Sequence, residues 1–252
     1  GANNTAVGSD ALLANTTGSN NVAVGFGSAD ALTTGNSNVA MGYNSLGSDT
    51  LGDRAVAIGL NALASQNFTS STDNYNIGIG YAAGAAVTTG LYNTLIGGLA
   101  GDAQTTADHN VALGVSTLTT NTKANKNVAI GSNALSIFNV TSDTDTYNTA
   151  VGYGAGATVT TGLSNTLIGG LAGDAITTGS NNVGLGRSAL TANTTASDNT
   201  AVGMASLAAN TTGANNTAVG RDALTLNTTG TQNVALGSIS LDANTTGSEN
   251  TA

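Results

Sequence analysis

The chain has 252 residues, 35 of them glycine, with no proline, cysteine or tryptophan and only 4% aromatic side chains, so it lacks the mixed aromatic and branched core of a compact domain this long. Fourteen acidic against five basic residues give a net charge of -9, which disfavours the phosphate backbone of a nucleic acid as a partner. At 40% hydrophobic and 8% charged the chain has apolar material to bury, and without cysteine it forms neither disulfides nor thiolate metal sites.

A single motif, Asn-x-small-aliphatic-Gly, recurs from one end to the other. It reads NTAVG at 4–8, NVAVG at 21–25, NVAMG at 38–42, AVAIG at 55–59, NIGIG at 76–80, NTLIG at 93–97, NVALG at 110–114 and NVAIG at 127–131. It continues as NTAVG at 148–152, NTLIG at 165–169, NVGLG at 182–186, NTAVG at 199–203 and 216–220, and NVALG at 233–237, before NTA at 250–252. The step is 17 residues, apart from two steps of 21 that begin at 55 and 127. Residues 93–103 and 165–175 are identical, NTLIGGLAGDA, and lie one long step and three short ones apart, so the duplicated stretch is a sample of the array. Both ends fall inside a repeat, so 1–252 is expected to be one continuous array cut from a longer fibre.

Each unit is numbered from its Asn. Position 5 is always Gly, position 4 is Val, Ile, Leu or Met, position 9 is usually Leu, and positions 13–15 tend to Thr-Thr-Gly. A short apolar burst, a glycine, a second burst and an Asn/Thr/Gly turn spell strand, turn, strand, turn, and seventeen residues are too few to include a helix. The predicted fold is all-β: a parallel β-solenoid of about 15 coils, two of them 21 residues long, stacked at the strand spacing into a rod roughly 70 Å long. No run approaches the ~20 apolar residues of a membrane-spanning helix.

Two columns are expected to hold the coils together. Asn4, Asn21, Asn38, Asn76, Asn93, Asn110, Asn127, Asn148, Asn165, Asn182, Asn199, Asn216 and Asn233 stand in register for an amide ladder, with Ala55 the one interruption. Gly8, Gly25, Gly42, Gly59, Gly80, Gly97, Gly114, Gly131, Gly152, Gly169, Gly186, Gly203, Gly220 and Gly237 mark a corner that demands positive φ. Positions 4 and 9, with position 2 beside them, are expected to point inward. Position 3, always Ala, Gly or Leu, then lies on an outer face that is also dry, and dry outer faces along a rod imply copies packed side by side, most simply as a homotrimer.

The runs AVAIG at 55–59 and NVAIG at 127–131 resemble the NSVAIG signature in the head repeats of YadA-like trimeric autotransporter adhesins, and weaker versions cover the chain. NTAVG…AL…NTTG arrays are also similar to phage tail-fibre shafts. The resemblance implies a left-handed parallel β-roll, homotrimeric and extracellular on a bacterial surface or a virion, that acts as an adhesive or spacer element without enzyme activity. Its partner would be a host-surface glycan or protein receptor.

Apparent sites mostly dissolve into the repeat. Gly78, Gly80 and Gly84, or Gly152, Gly154 and Gly156, imitate a dinucleotide loop but fall where no strand opens a helix. His109, the only histidine, sits at a turn without partners for catalysis or metal binding, and Asp143 with Asp145 supplies too few oxygens for Ca²⁺. No catalytic residue, metal ligand or cofactor is expected. The 21-residue steps break the period, and each insertion carries a Phe and ends in a Tyr: Phe68 with Tyr75, and Phe138 with Tyr147. These four are the candidate ligand contacts, although a Phe in a polar loop is also suited to fold back and plug the coil. A solenoid binding another ligand or ice through its threonines is the alternative from another class, but adjacent threonines point to opposite faces and make a poor lattice.

Overall fold

The computed structural model describes residues 1–252. Its regular structure is entirely β, with no helix. The chain forms two compact units, Gly1–Lys126 with Thr141–Thr144, and Asn127–Val140 with Asp145–Ala252. In the first, strands Thr5–Val7, Val22–Val24, Val39–Met41, Val56–Ile58, Ile77–Ile79, Thr94–Ile96 and Val111–Leu113 pair in that order, all parallel. In the second, Val128–Ile130, Thr149–Val151, Thr166–Ile168, Val183–Leu185, Thr200–Val202, Thr217–Val219 and Val234–Leu236 do the same. Each unit is thus a parallel β-solenoid in which one repeat makes one turn, and the truncated last repeat adds a bridge from Thr251 to Val234.

Register runs repeat on repeat. Val7 pairs with Val24 and Val24 with Met41, so residues sharing a slot lie over one another, as the period predicts. Ladder bonds continue around the turns, for example Gly27 N–H to Ser9 O at 3.0 Å and Leu12 N–H to Ser28 O at 3.1 Å.

The inside and outside of the strand are the reverse of the sequence expectation. Position 3 faces the core: Ala23, Ala40, Ala57, Ala129, Ala201 and Ala218 are all fully buried. Positions 2 and 4 face outward, with Val7 58%, Met41 39% and Leu236 71% exposed. Position 9 is inward as expected, through Leu46, Leu63, Leu118, Leu135, Leu190, Leu207 and Leu224. The physical reason is width. Between corner and turn the interior admits a methyl on the strand opposite each leucine, so the strand position restricted to small residues is the enclosed one. Positions 8 and 12 complete the core, position 12 carrying residues as different as Leu32, Asp49, Val87, Phe138, Ile176 and Asn210.

The duplicated stretch shows how tight this packing is. Leu95 and Leu167 put a leucine at position 3, and the same coils carry Gly101 and Gly173 at position 9, so the leucine has changed sides of the core. A methyl on Gly101 would sit 2.8 Å from Leu95 Cδ2, and one on Gly173 2.7 Å from Leu167 Cδ2. Each buried leucine contributes about 1.5–3 kcal/mol.

The corner glycines behave as predicted, with φ between +119° and +142°. A methyl on Gly25 would in addition lie 2.6 Å from the carbonyl oxygen of Gly42 in the next coil. Positive φ is not confined to them: positions 7, 9 and 17 also adopt it, often without glycine, as at Asp10 (61°), Leu12 (53°) and Asn20 (61°). A leucine there is strained by roughly 1–2 kcal/mol, and the bonds to the coils on either side hold it in place.

The asparagine ladder forms with a bond pattern richer than amide to amide. Asn182 N–H donates to Asn165 Oδ1 (3.0 Å), while Asn182 Nδ2 donates to Asn165 Oδ1 (3.1 Å) and to Ala196 O (2.9 Å), tying strand, neighbour and turn together. At the interruption, Ala55 N–H still donates to Asn38 Oδ1 (2.8 Å) but offers no acceptor to the next coil. Asn74, from the 21-residue insertion, replaces it: its Oδ1 accepts from Asn76 N–H at 2.9 Å. A second ladder at position 12 joins Asn244 to Asn227 (3.1 Å) and Asn227 to Asn210 (3.0 Å).

Candidate functional site

With the core filled, the surface columns are what the molecule can present. Positions 2 and 4 make a flat strip on the outer face of the parallel strands, aliphatic along most of its length. In the first unit it carries Val22, Val39, Val56 and Ile77 beside Val24, Met41, Ile58 and Ile79. Position 6, just beyond the corner glycine, widens it with exposed Phe26, Tyr43, Leu60 and Tyr81. Phe26 and Tyr43 stack at 5.5 Å with an interplanar angle of 11°. In the second unit the strip runs through Val151, Ile168, Leu185, Val202 and Val219, with Tyr153 and Met204 at position 6. Contiguous apolar surface of this kind is the feature through which proteins make contacts with other surfaces.

The four aromatic candidates separate. Phe68 is 5% exposed and Phe138 fully buried, so both plug their coils and neither reaches a ligand. Phe138 does so from position 12, in the core column itself. Tyr75 and Tyr147 remain exposed. Tyr147 Oη donates to Asp145 Oδ2 at 3.1 Å.

Tyr75 belongs to a ladder not anticipated from the insertions. It stacks on Tyr92 at 5.9 Å, Tyr92 stacks on His109 at 4.7 Å, and the Arg54 guanidinium lies 5.5 Å from the Tyr75 ring centre. Arg54 also pairs with Asp73 and donates to Tyr75 Oη at 2.9 Å. All four occupy the last position of their coils, so aligning that column would have revealed them from the sequence. His109 is exposed as expected for a turn, but one ring face is covered by Tyr92. The rings lie face to face along the stacking direction, which leaves mainly their edges to solvent.

The remaining sequence candidates serve the framework. Gly78 and Gly84 make room in the core: a methyl on either would fall 2.8 Å from a Leu63 side-chain carbon. Asp143 Oδ1 accepts from Asn125 Nδ2 at 2.6 Å. Asp102 is held above the usual carboxylate range by burial, and its equivalent Asp174 accepts from Thr191 Oγ1 at 2.5 Å. Asp49 is buried at position 12, with its carboxyl raised by desolvation even though Gln66 Nε2 (2.7 Å) and Gly52 N–H (3.0 Å) donate to it. The position-13 threonines spend their hydroxyls on the next coil, as Thr16 Oγ1 to Thr33 O (3.1 Å) and Thr211 Oγ1 to Thr228 O (3.0 Å), so only position 14 presents an outward threonine column.

No protein-family model matches this chain, nor does any curated protein. The fold and surface define a parallel β-solenoid whose outer strand face is apolar.

Proposed function

We propose that this chain is a structural and adhesive rod segment of an extracellular fibrous adhesin, a side-by-side homotrimer of left-handed β-roll coils that presents its surface rigidly and in many copies for host or surface attachment. The half-exposed, largely aliphatic strip at positions 2 and 4 carries this reading. A monomer in water would leave it uncovered on coil after coil, and a threefold arrangement of identical strips covers it with the surface best matched to it in length and period. Weak contacts repeated at each coil then sum as avidity rather than as one deep pocket.

Sedimentation velocity at micromolar concentration tests the assembly. The wild-type chain is expected to run as a trimer, and a chain carrying Ile58→Asp with Ile79→Asp to dissociate toward monomer while keeping its far-UV strand signal. Wild-type monomers with an intact strand signal would end the trimer reading. Beads coated with the chain test the adhesive role, through retention on a host-cell or abiotic surface above that of beads coated with an unrelated solenoid.

A further inference from the structure

The duplicated stretch holds one more peculiarity. Gly98 and Gly170 occupy position 6, where the other twelve complete coils carry a side chain. Neither glycine is needed by the backbone: φ is not positive at either, and a methyl built on either meets nothing within 4 Å. What their missing side chains do is leave space. On the coil before each stands an exposed tyrosine, Tyr81 (59%) and Tyr153 (63%), and on the coil after stand Val115 and Arg187.

At the Phe26–Tyr43 step the ring lies over the position-6 residue of the next coil, and Tyr81 and Tyr153 hold the same position before Gly98 and Gly170. A glycine there uncovers a tyrosine face. Two strand steps separate the tyrosine from the far wall, about 9.6 Å. Removing the half-thickness of the ring and of the facing side chain leaves a slot about 6 Å high, the thickness of one saturated sugar ring. Backbone polar groups lie beside it: the Gly98 and Gly170 N–H groups, like the other position-6 N–H groups, donate to no group of the chain, and with no side chain they are less covered, while their carbonyls accept from Ser116 and Ser188 N–H at 3.0 Å. An aromatic face beside a free N–H suits a ring with C–H bonds on one face and hydroxyls at its edge. The net charge of -9 favours a neutral ring over an acidic one.

We propose that Tyr81, Gly98 and Val115, and equivalently Tyr153, Gly170 and Arg187, form two carbohydrate slots, each stacking one neutral hexopyranose of a glycan on the tyrosine face. This rests on the adhesive reading and names its ligand class. The test is saturation-transfer NMR on the full chain with methyl β-glucopyranoside, methyl β-galactopyranoside and methyl N-acetyl-β-glucosaminide. At least one sugar is expected to receive saturation, strongest on its ring C–H protons. The pair Gly98→Leu and Gly170→Leu fills both slots with a residue the column already accommodates at Leu60, and is expected to weaken binding by at least about tenfold with the strand signal unchanged. Tyr81→Ala with Tyr153→Ala is expected to do the same.

Transfer to none of the three sugars, or binding unchanged in the leucine pair, overturns the proposal. So does a leucine pair that loses the wild-type sedimentation coefficient, because the slots would then be subunit contacts. Coated beads separate the two readings: adhesion that persists in the leucine pair removes the slots and leaves the adhesin, whereas wild-type beads that do not adhere remove the adhesin itself.

Discussion

Replacing Asn199 by alanine tests whether the amide ladder, rather than apolar burial alone, holds neighbouring coils together. Asn199 is fully buried. Its Oδ1 accepts from Asn216 N–H at 3.0 Å and from Asn216 Nδ2 at 3.2 Å, and its Nδ2 donates to Gly213 O at 2.9 Å. Alanine keeps the backbone and removes these bonds, together with two longer ones from Asn199 Nδ2 to Ser197 O (3.3 Å) and Asn182 Oδ1 (3.4 Å). The Asn216 N–H is then left buried without its acceptor, at about 1–3 kcal/mol, while the Gly213 carbonyl still accepts from Asn210 Nδ2 at 2.9 Å. The Asn216 amide can still donate to Gly230 O, a bond of 2.9 Å, so its loss is partial. The expected cost is about 2–3 kcal/mol, localised between two coils because a solenoid's stability is a sum of neighbour terms. Native-state hydrogen exchange is the fitting assay, since global unfolding of a repeat array need not be two-state. The Asn216 and Thr217 amides should lose on the order of a hundredfold protection while amides several coils away keep theirs. A loss below about 0.5 kcal/mol at Asn216 would refute the reasoning and leave the ladder a by-product of register.

Gly203→Ala places a methyl 2.4 Å from Gly220 O at φ +133°, and should cost roughly 3 kcal/mol in urea unfolding, against less than about 0.5 kcal/mol for Gly98→Ala, whose methyl meets nothing. Equal effects would show that the corner does not require glycine. The Asp49 carboxyl is raised by burial, so the folded chain takes up its proton at higher pH than the unfolded chain does. Acidification from neutral pH toward the ordinary carboxylate range therefore favours folding through this group, and the gain is complete once pH falls below its unfolded value. Wild type should gain stability relative to Asp49→Asn over that window, measured by exchange at the Gly52 amide. Parallel profiles for the two proteins would exclude the effect.

The strand's sidedness shows where sequence reasoning stops. Position 4 is aliphatic in every complete repeat and looks like core, yet the constrained column is position 3, which admits only Ala, Gly and Leu. Position 2 exchanges Thr for Val or Ile freely, as Thr94, Thr166 and Thr217 show, so its size and chemistry are less restricted than those of position 3. The signal was present, but hydrophobicity pointed the other way, because apolar side chains on an outer face look in sequence like apolar side chains in the core. The compensation of Leu95 by Gly101 needed coordinates, since the two are joined only across the width of one coil.

The sequence by itself determined the period, the parallel β-solenoid, the corner glycines and the ladder of Asn4, Asn21 and their successors. A repeat in which every turn copies the last leaves register no freedom, so a one-dimensional alignment is already a list of three-dimensional neighbours. Only the tertiary structure decided which face of each three-residue strand is enclosed, that Phe68 and Phe138 are plugs, and that Arg54, Tyr75, Tyr92 and His109 meet in one stack. Those outcomes depend on the width of the coil and the direction of its corners, which are set by positive φ at four positions per turn, only one of them marked by glycine in every repeat.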